Sequence, residues 1–186
     1  MKRAFDLVLS LISLIILFPI LIIVAIWIRI DSPGNVLFTQ DRPGIDNKIF
    51  KIYKFRSMRK DTPNVSTDKL LDSSQYITTS GKFIRKTSID ELPQLINITK
   101  GDMSFVGPRP ALYNQYELIE ERTKRGIHKI KPGLTGYAQV MGRDNISDEE
   151  KVKFDEYYLK HQSFKLDMKI ILMTFIKVIK NEDVVH

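Results

Sequence analysis

From Leu7 to Ile28 the chain reads LVLSLISLIILFPILIIVAIWI, interrupted only by Ser10, Ser13 and Pro19. As a helix rising about 1.5 Å per residue, this run reaches roughly 33 Å, enough to cross a bilayer, so it belongs in lipid. It exceeds the apolar core of a signal peptide, and no small-x-small cleavage site follows it. A straight spanning helix is one arrangement. Two features favour another. Pro19 frees the carbonyl of Ile15 in mid-run, and Lys2, Arg3 and Arg29 place positive charge at both ends, which prefer the same cytoplasmic side. The expectation is a re-entrant helix that bends at Pro19 and returns to the face it entered, with Ser10 and Ser13 as hydroxyl partners for the freed backbone. Residues 1–31 are then the anchor and 32–186 a cytosol-facing domain. The far end, FKLDMKIILMTFIKVIK (164–180), intersperses Lys165, Lys169, Lys177 and Lys180 among apolar residues; it suits an amphipathic interfacial helix or one packed on the core.

Between these ends the pattern predicts a mixed α/β domain, small and irregular, with short strands and several helices. SPGNVLFTQDRPG is a Pro-Gly turn, a strand over Val36–Gln40 and a turn at Arg42-Pro43-Gly44, and KIFKIYKF alternates as the partner strand of a hairpin. Residues 60–80 lack periodicity and are expected as a surface loop or lid. A helix is expected over Glu91–Thr99, a short strand through Val106, a helix over Ala111–Arg125 stopped by Gly126, and another opened by the capping box Ser147/Glu150.

The 186 residues carry a formal charge of +7, which points to acidic partners: nucleic acid, anionic headgroups or phosphorylated small molecules. With no cysteine and three scattered histidines, disulfides and the usual zinc sites are excluded. There is no G-x-x-x-x-G-K-[ST] loop, G-x-G-x-x-G, G-x-S-x-G or D-x-D triplet. Instead Arg42, Arg56, Arg85, Arg109, Lys131 and Arg143 recur in turn-like settings, many beside Pro or Gly, where converging cations suit a diphosphate. Asp90 and Glu91 stand in KTSIDELPQL. A helix starting near Asp90 puts Pro93 in its first turn, where a missing N–H costs nothing. Adjacent helical side chains point about 100° apart. That suits divided labour, one carboxylate attacking phosphorus and the other helping to hold Mg²⁺, and the positive helix end should keep Asp90 ionised. Two other readings remain at this point: a membrane-tethered protein that binds anionic lipid or nucleic acid, and a UDP-sugar hydrolase. The first leaves the acid pair unexplained.

In order, the apolar anchor, SPGNVLFTQDRPG, KIYKFRSM, RKTSIDELPQLINITKGDMSFVGPRP and KPGLTGYAQVMGR make the chain resemble the monotopic phosphoglycosyl transferases, the bacterial sugar transferase family, and within it the small capsular-polysaccharide-initiating type. The resemblance implies a transfer of sugar-1-phosphate from a UDP-sugar to undecaprenyl phosphate with release of UMP, starting capsule or exopolysaccharide assembly. It implies Asp90 as nucleophile through an aspartyl-phosphosugar, Glu91 as the Mg²⁺-associated second carboxylate, and Arg85, Arg109 and Arg143 along the phosphates. It also implies membrane lipids as partners, no nucleic acid, a location on the cytoplasmic face of the inner membrane, and compatibility with a homo-oligomer. One departure is visible: the family's helix break is a Ser-Pro pair, whereas here Phe18 precedes Pro19.

Overall fold

The computed structural model describes residues 1–62, 75–142 and 146–180. The architecture is mixed α/β with short strands, as the pattern predicts. The apolar run lies within one helix, α1 (Lys2–Asp31), continuous through Pro19. Its residues sort onto two faces. Asp6, Ser10, Val24 and Ile28 are buried, with Leu14, Leu17, Leu21 and Ala25 packed between them at helical spacing. The other face leaves Ile15, Ile16, Ile23 and Ile30 more than 60% exposed, a large apolar surface of the kind that marks a membrane or partner.

Both ends of α1 are fastened to the rest of the chain. At the start, Lys2 pairs with Asp167 (2.7 Å), Arg3 donates to the carbonyls of Ile98 and Thr99, and buried Asp6 accepts from Ser104 Oγ and Phe105 N. At the other end Asp31 accepts from the N–H and hydroxyl of Ser80, while Arg56 donates to the carbonyls of Ser32 and Pro33. A side chain at Gly34, whose φ is +121°, would collide with that guanidinium. Ser10 donates to Leu7 O and accepts from Thr99, so its hydroxyl serves the docked face and not the Ile15 carbonyl.

After the anchor come β1 (Leu37–Pro43) and β2 (Ile49–Phe55), an antiparallel hairpin in register from Leu37 opposite Phe55 to Pro43 opposite Ile49. Within the expected loop 60–80 the described part includes the start of a helix, α2 (Thr79–Lys86), capped by Thr78; residues 63–74 lie outside the described residues. The helix expected from Glu91 begins later. Ser88 takes a left-handed conformation (φ 55°), Ile89–Glu91 form a single 3-10 turn, and Pro93 caps α3 (Gln94–Lys100). Proline fits that boundary because no N–H is required of it. Buried Asn97 on α3 accepts from Tyr53 N and donates to Lys51 O, which locks β2 against the helix.

Strand β3 (Ser104–Val106) runs parallel to β4 (Gly133–Thr135). Their approach requires glycine: a Cβ on Gly107 or Gly133 would overlap the facing backbone. The helix expected from Ala111 is shorter, α4 (Tyr116–Lys124), because the chain leaves Pro110 in turns and Leu112 N is taken by the Gln115 side chain; Gly126 ends it with φ 76° as predicted. Then follow α5 (Tyr137–Met141), α6 (Asp148–Lys160) with the full Ser147/Glu150 capping box, and α7 (Phe164–Lys180). Helix α7 buries Ile170 on Val106, Val140 and Tyr158 but exposes Leu172, Phe175 and Ile176, so it combines both expected roles of face: one on the core, one open.

Candidate active site

Asp90 and Glu91 sit on the 3-10 turn between α2 and α3, and the preceding residue, Ile89, packs on Val24, Ile28, Phe55 and Ile84. The acid pair is therefore seated against the C-terminal half of α1. Glu91 Oε1 accepts from Lys54 Nζ at 2.7 Å and from Arg109 Nη2 at 3.0 Å. These two cations hold the Glu91 carboxyl far below the usual range, against the opposing effect of burial. Asp90 is treated differently. It makes no side-chain hydrogen bond among the described residues, and burial, followed by the negative charge of Glu91, pushes its pKa up to about 6, with Lys54, Arg85 and Arg109 opposing. A pKa of about 6 is compatible with the expected ionisation near neutral pH, but the expected cause, a helix end, is not what sets it. The turn is 3-10 and separate from α3, so desolvation and a like charge dominate over any helix dipole.

Of the predicted cations, the structure brings together Arg109, Arg85 and Arg42. Arg109 touches Glu91, and Arg85, in the last turn of α2, exerts its charge on Asp90. Arg42 is near enough to Arg109 and Glu91 to feel both, and burial lowers its pKa to about 10; its Nη1 and Nη2 go to Pro110 O (2.9 Å) and Gln40 Oε1 (2.7 Å). Two others are elsewhere. Arg56 is buried with both terminal nitrogens on the carbonyls that follow α1. Lys131 approaches Gly101 beside Arg3, at the opposite end of α3. Arg143 lies outside the described residues.

Sequence reasoning missed Lys54. Its signal was present in KIYKF, where period-2 alternation puts Lys54 on the face opposite buried Phe55, but nothing local says that the face meets Glu91. The position of Arg109 also needs explanation. In Pro108-Arg109-Pro110 each carbonyl accepts a different donor: Gly133 N (2.9 Å), Arg122 Nη1 (2.8 Å) and Arg42 Nη1 (2.9 Å). Arg122 is itself held by Asp155 Oδ2 at 2.6 Å, and both are buried.

For a divalent cation, the described residues contain no cluster of three or more His, Asp or Glu side chains suited to metal. The two carboxyl groups expected to hold Mg²⁺ stand next to each other on the turn, and both ion pairs of Glu91 are made through Oε1.

The family profile described as "Bacterial sugar transferase" matches residues 1–181. The chain is 44% identical over 189 residues to the "Uncharacterized sugar transferase EpsL" of Bacillus subtilis (strain 168), covering 99% of this chain and 90% of that protein. It is 40% identical over 191 residues to the UDP-glucose:undecaprenyl-phosphate glucose-1-phosphate transferase of Escherichia coli (strain K12), covering 98% of this chain and 41% of that one. A 37% match covers 93% of the chain and 42% of the UDP-N-acetylgalactosamine-undecaprenyl-phosphate N-acetylgalactosaminephosphotransferase of Aeromonas hydrophila. This chain thus spans most of the small relative and less than half of the larger ones. With its acid pair, converging cations and docked apolar helix, the chain belongs to the bacterial sugar transferase family.

Proposed function

We propose that this protein transfers a sugar-1-phosphate from a UDP-sugar to undecaprenyl phosphate, releasing UMP and starting a capsule or exopolysaccharide chain. The observation that carries the reading is the unequal pair: Glu91 takes Lys54 and Arg109, while neighbouring Asp90 has no hydrogen-bond partner among the described residues and a pKa of about 6. A carboxylate of that pKa is largely ionised at pH 7 and poorly stabilised by its surroundings, the state a nucleophile needs. An Asp90 oxygen attacks the β-phosphorus; the bond from that phosphorus to the bridging oxygen breaks, and UMP leaves with the electron pair. An oxygen of undecaprenyl phosphate then attacks the same phosphorus, the carboxyl–phosphate bond breaks, and Asp90 regains its carboxylate. Arg109 and Arg85 offset charge on the phosphoryl oxygens, and Glu91 orients Arg109 and Lys54. Mg²⁺ held by Asp90 or Glu91 with the diphosphate would neutralise developing charge on the leaving UMP.

The relatives named for undecaprenyl-phosphate transfer, together with the exposed apolar face of α1, support a membrane location. The fastening of both ends of α1 to one body supports a monotopic anchor, residues 1–31, carrying the domain 32–186 on the cytoplasmic face of the inner membrane. Cysteines placed at Ala4 and Asn35 should label from the same side in sealed vesicles; labelling from opposite sides refutes monotopy. For the chemistry, intact mass is measured on detergent-purified protein given Mg²⁺ and a panel of UDP-sugars without acceptor. A sugar-phosphate adduct, discharged by undecaprenyl phosphate and absent in Asp90→Asn, is expected. Continuing UMP release, many equivalents per enzyme without acceptor, would make the enzyme a hydrolase.

A further inference from the structure

The segment Pro108-Arg109-Pro110 has an unusual means of support. Two of its three residues lack an N–H, so the backbone is fixed mainly through carbonyls, and all three carbonyls are taken. The central one, that of Arg109, is held by a side chain 13 residues away in sequence: Arg122 on α4, whose other terminal nitrogen bonds Asp155 on α6. The guanidinium is 9% exposed as a residue and the aspartate 1%. The connection therefore runs from a buried carboxylate through a planar, bidentate cation to the backbone of the residue that grips Glu91.

We infer that Arg122, set by Asp155, is a positioning residue that fixes Arg109 against the acid pair. The inference rests on the reading of Arg109 as part of the transferase site. Guanidinium geometry is essential to it, since a single ammonium cannot reach Asp155 and the Arg109 carbonyl with the same two directed bonds. The pair is not explained by stability alone. Buried ion pairs are often replaceable by apolar residues of similar volume at no cost in stability, so a pair kept only for packing could be exchanged without loss of activity.

Two variants test this in the full-length protein in detergent. Arg122→Met/Asp155→Leu removes the pair as a unit and preserves an apolar filling of the space; Arg122→Lys keeps charge and loses the fork. Peptide-level hydrogen exchange over residues 107–112, which needs no substrate, should rise at least tenfold in both, while exchange in α3 is unchanged. Transfer, measured as kcat/KM, should fall about 10- to 100-fold in Arg122→Lys alone. In an Arg109→Lys background the same change should cost less than twofold, since there is no guanidinium left to position. Unchanged exchange over 107–112, full activity of Arg122→Met/Asp155→Leu, or additive losses in the two backgrounds each overturn the inference. If wild-type protein instead transfers nothing from any UDP-sugar while exchange over 107–112 still rises, the functional reading fails and the placement of the segment by Arg122 stands.

Discussion

The Asp90–Glu91 turn, partly exposed, and the buried α4–α6 contact both put carboxylates beside arginine, and they resolve the charge in opposite ways. At the contact, one acid meets one guanidinium: Asp155 binds Arg122, burial is the leading influence on its pKa, raising it, and Arg122 opposes the rise. At the turn, Glu91 collects two cations and Asp90, among the described residues, collects no hydrogen bond. A balanced pair can serve as a fixed support. An imbalance, in which one acid is over-supplied and its neighbour is left raised to about 6, costs stability and is found where a group must react.

Removing the reactive acid should separate the two regions most sharply. Asp90→Asn is expected to lower transfer by about 10³-fold or more and to raise the unfolding midpoint by a few degrees, since it removes a charge that the fold disfavours; a thermal scan beside a UMP-release assay checks both. Asp155→Ala should do the reverse in stability, losing about 3–5 kcal/mol because Arg122 is left buried and unpaired, read as a lower denaturation midpoint. Equal midpoints for the two variants would erase the contrast. Lys54→Met should reduce transfer by about 10- to 100-fold, with Arg109 retaining Glu91. The gentlest test is pH. Because Asp90 is raised to about 6, transfer should drop as pH falls through 6, about tenfold per unit below it, as protonation removes the nucleophile. Its contribution to stability has the opposite sign: a raised carboxyl pKa gains native stability as pH falls from about 6 toward the unfolded value near 4. An activity profile flat from pH 7 to 5 would break the assignment.

Features set by neighbours in sequence were readable. The hairpin follows from alternation and a Pro-Gly turn, α6 from its capping box, and the end of α4 from Gly126. The acid pair and Arg109 were also visible, as residue types in rigid settings. Lys54 and Arg122 were not, because their partners lie 37 and 33 residues away and only the packed fold brings them close. Arg56 illustrates the reverse case. A guanidinium suits phosphate oxygens and backbone carbonyls equally, and in this fold it closes the end of α1. Helix α2 was hidden by its Thr, Ser and Gly residues, which favour turns, although Thr78 as cap and buried Ile84 carried its signal.

The fastening of α1 at both ends also has a consequence in time. Lys2 and Asp6 find their partners 165 and about 99 residues later in the chain. At about 5–20 residues per second of synthesis, roughly 5–20 s pass before Phe105 exists to meet Asp6, and Asp167 follows later still. In the lipid-inserted state proposed above, the ribosome delivers the anchor first and the groups that satisfy its polar face last, so a nascent helix must wait with a carboxylate and an ammonium unmatched. Synthesis of α7 then ends the wait, and a product cut short before α7 would leave Lys2 without Asp167.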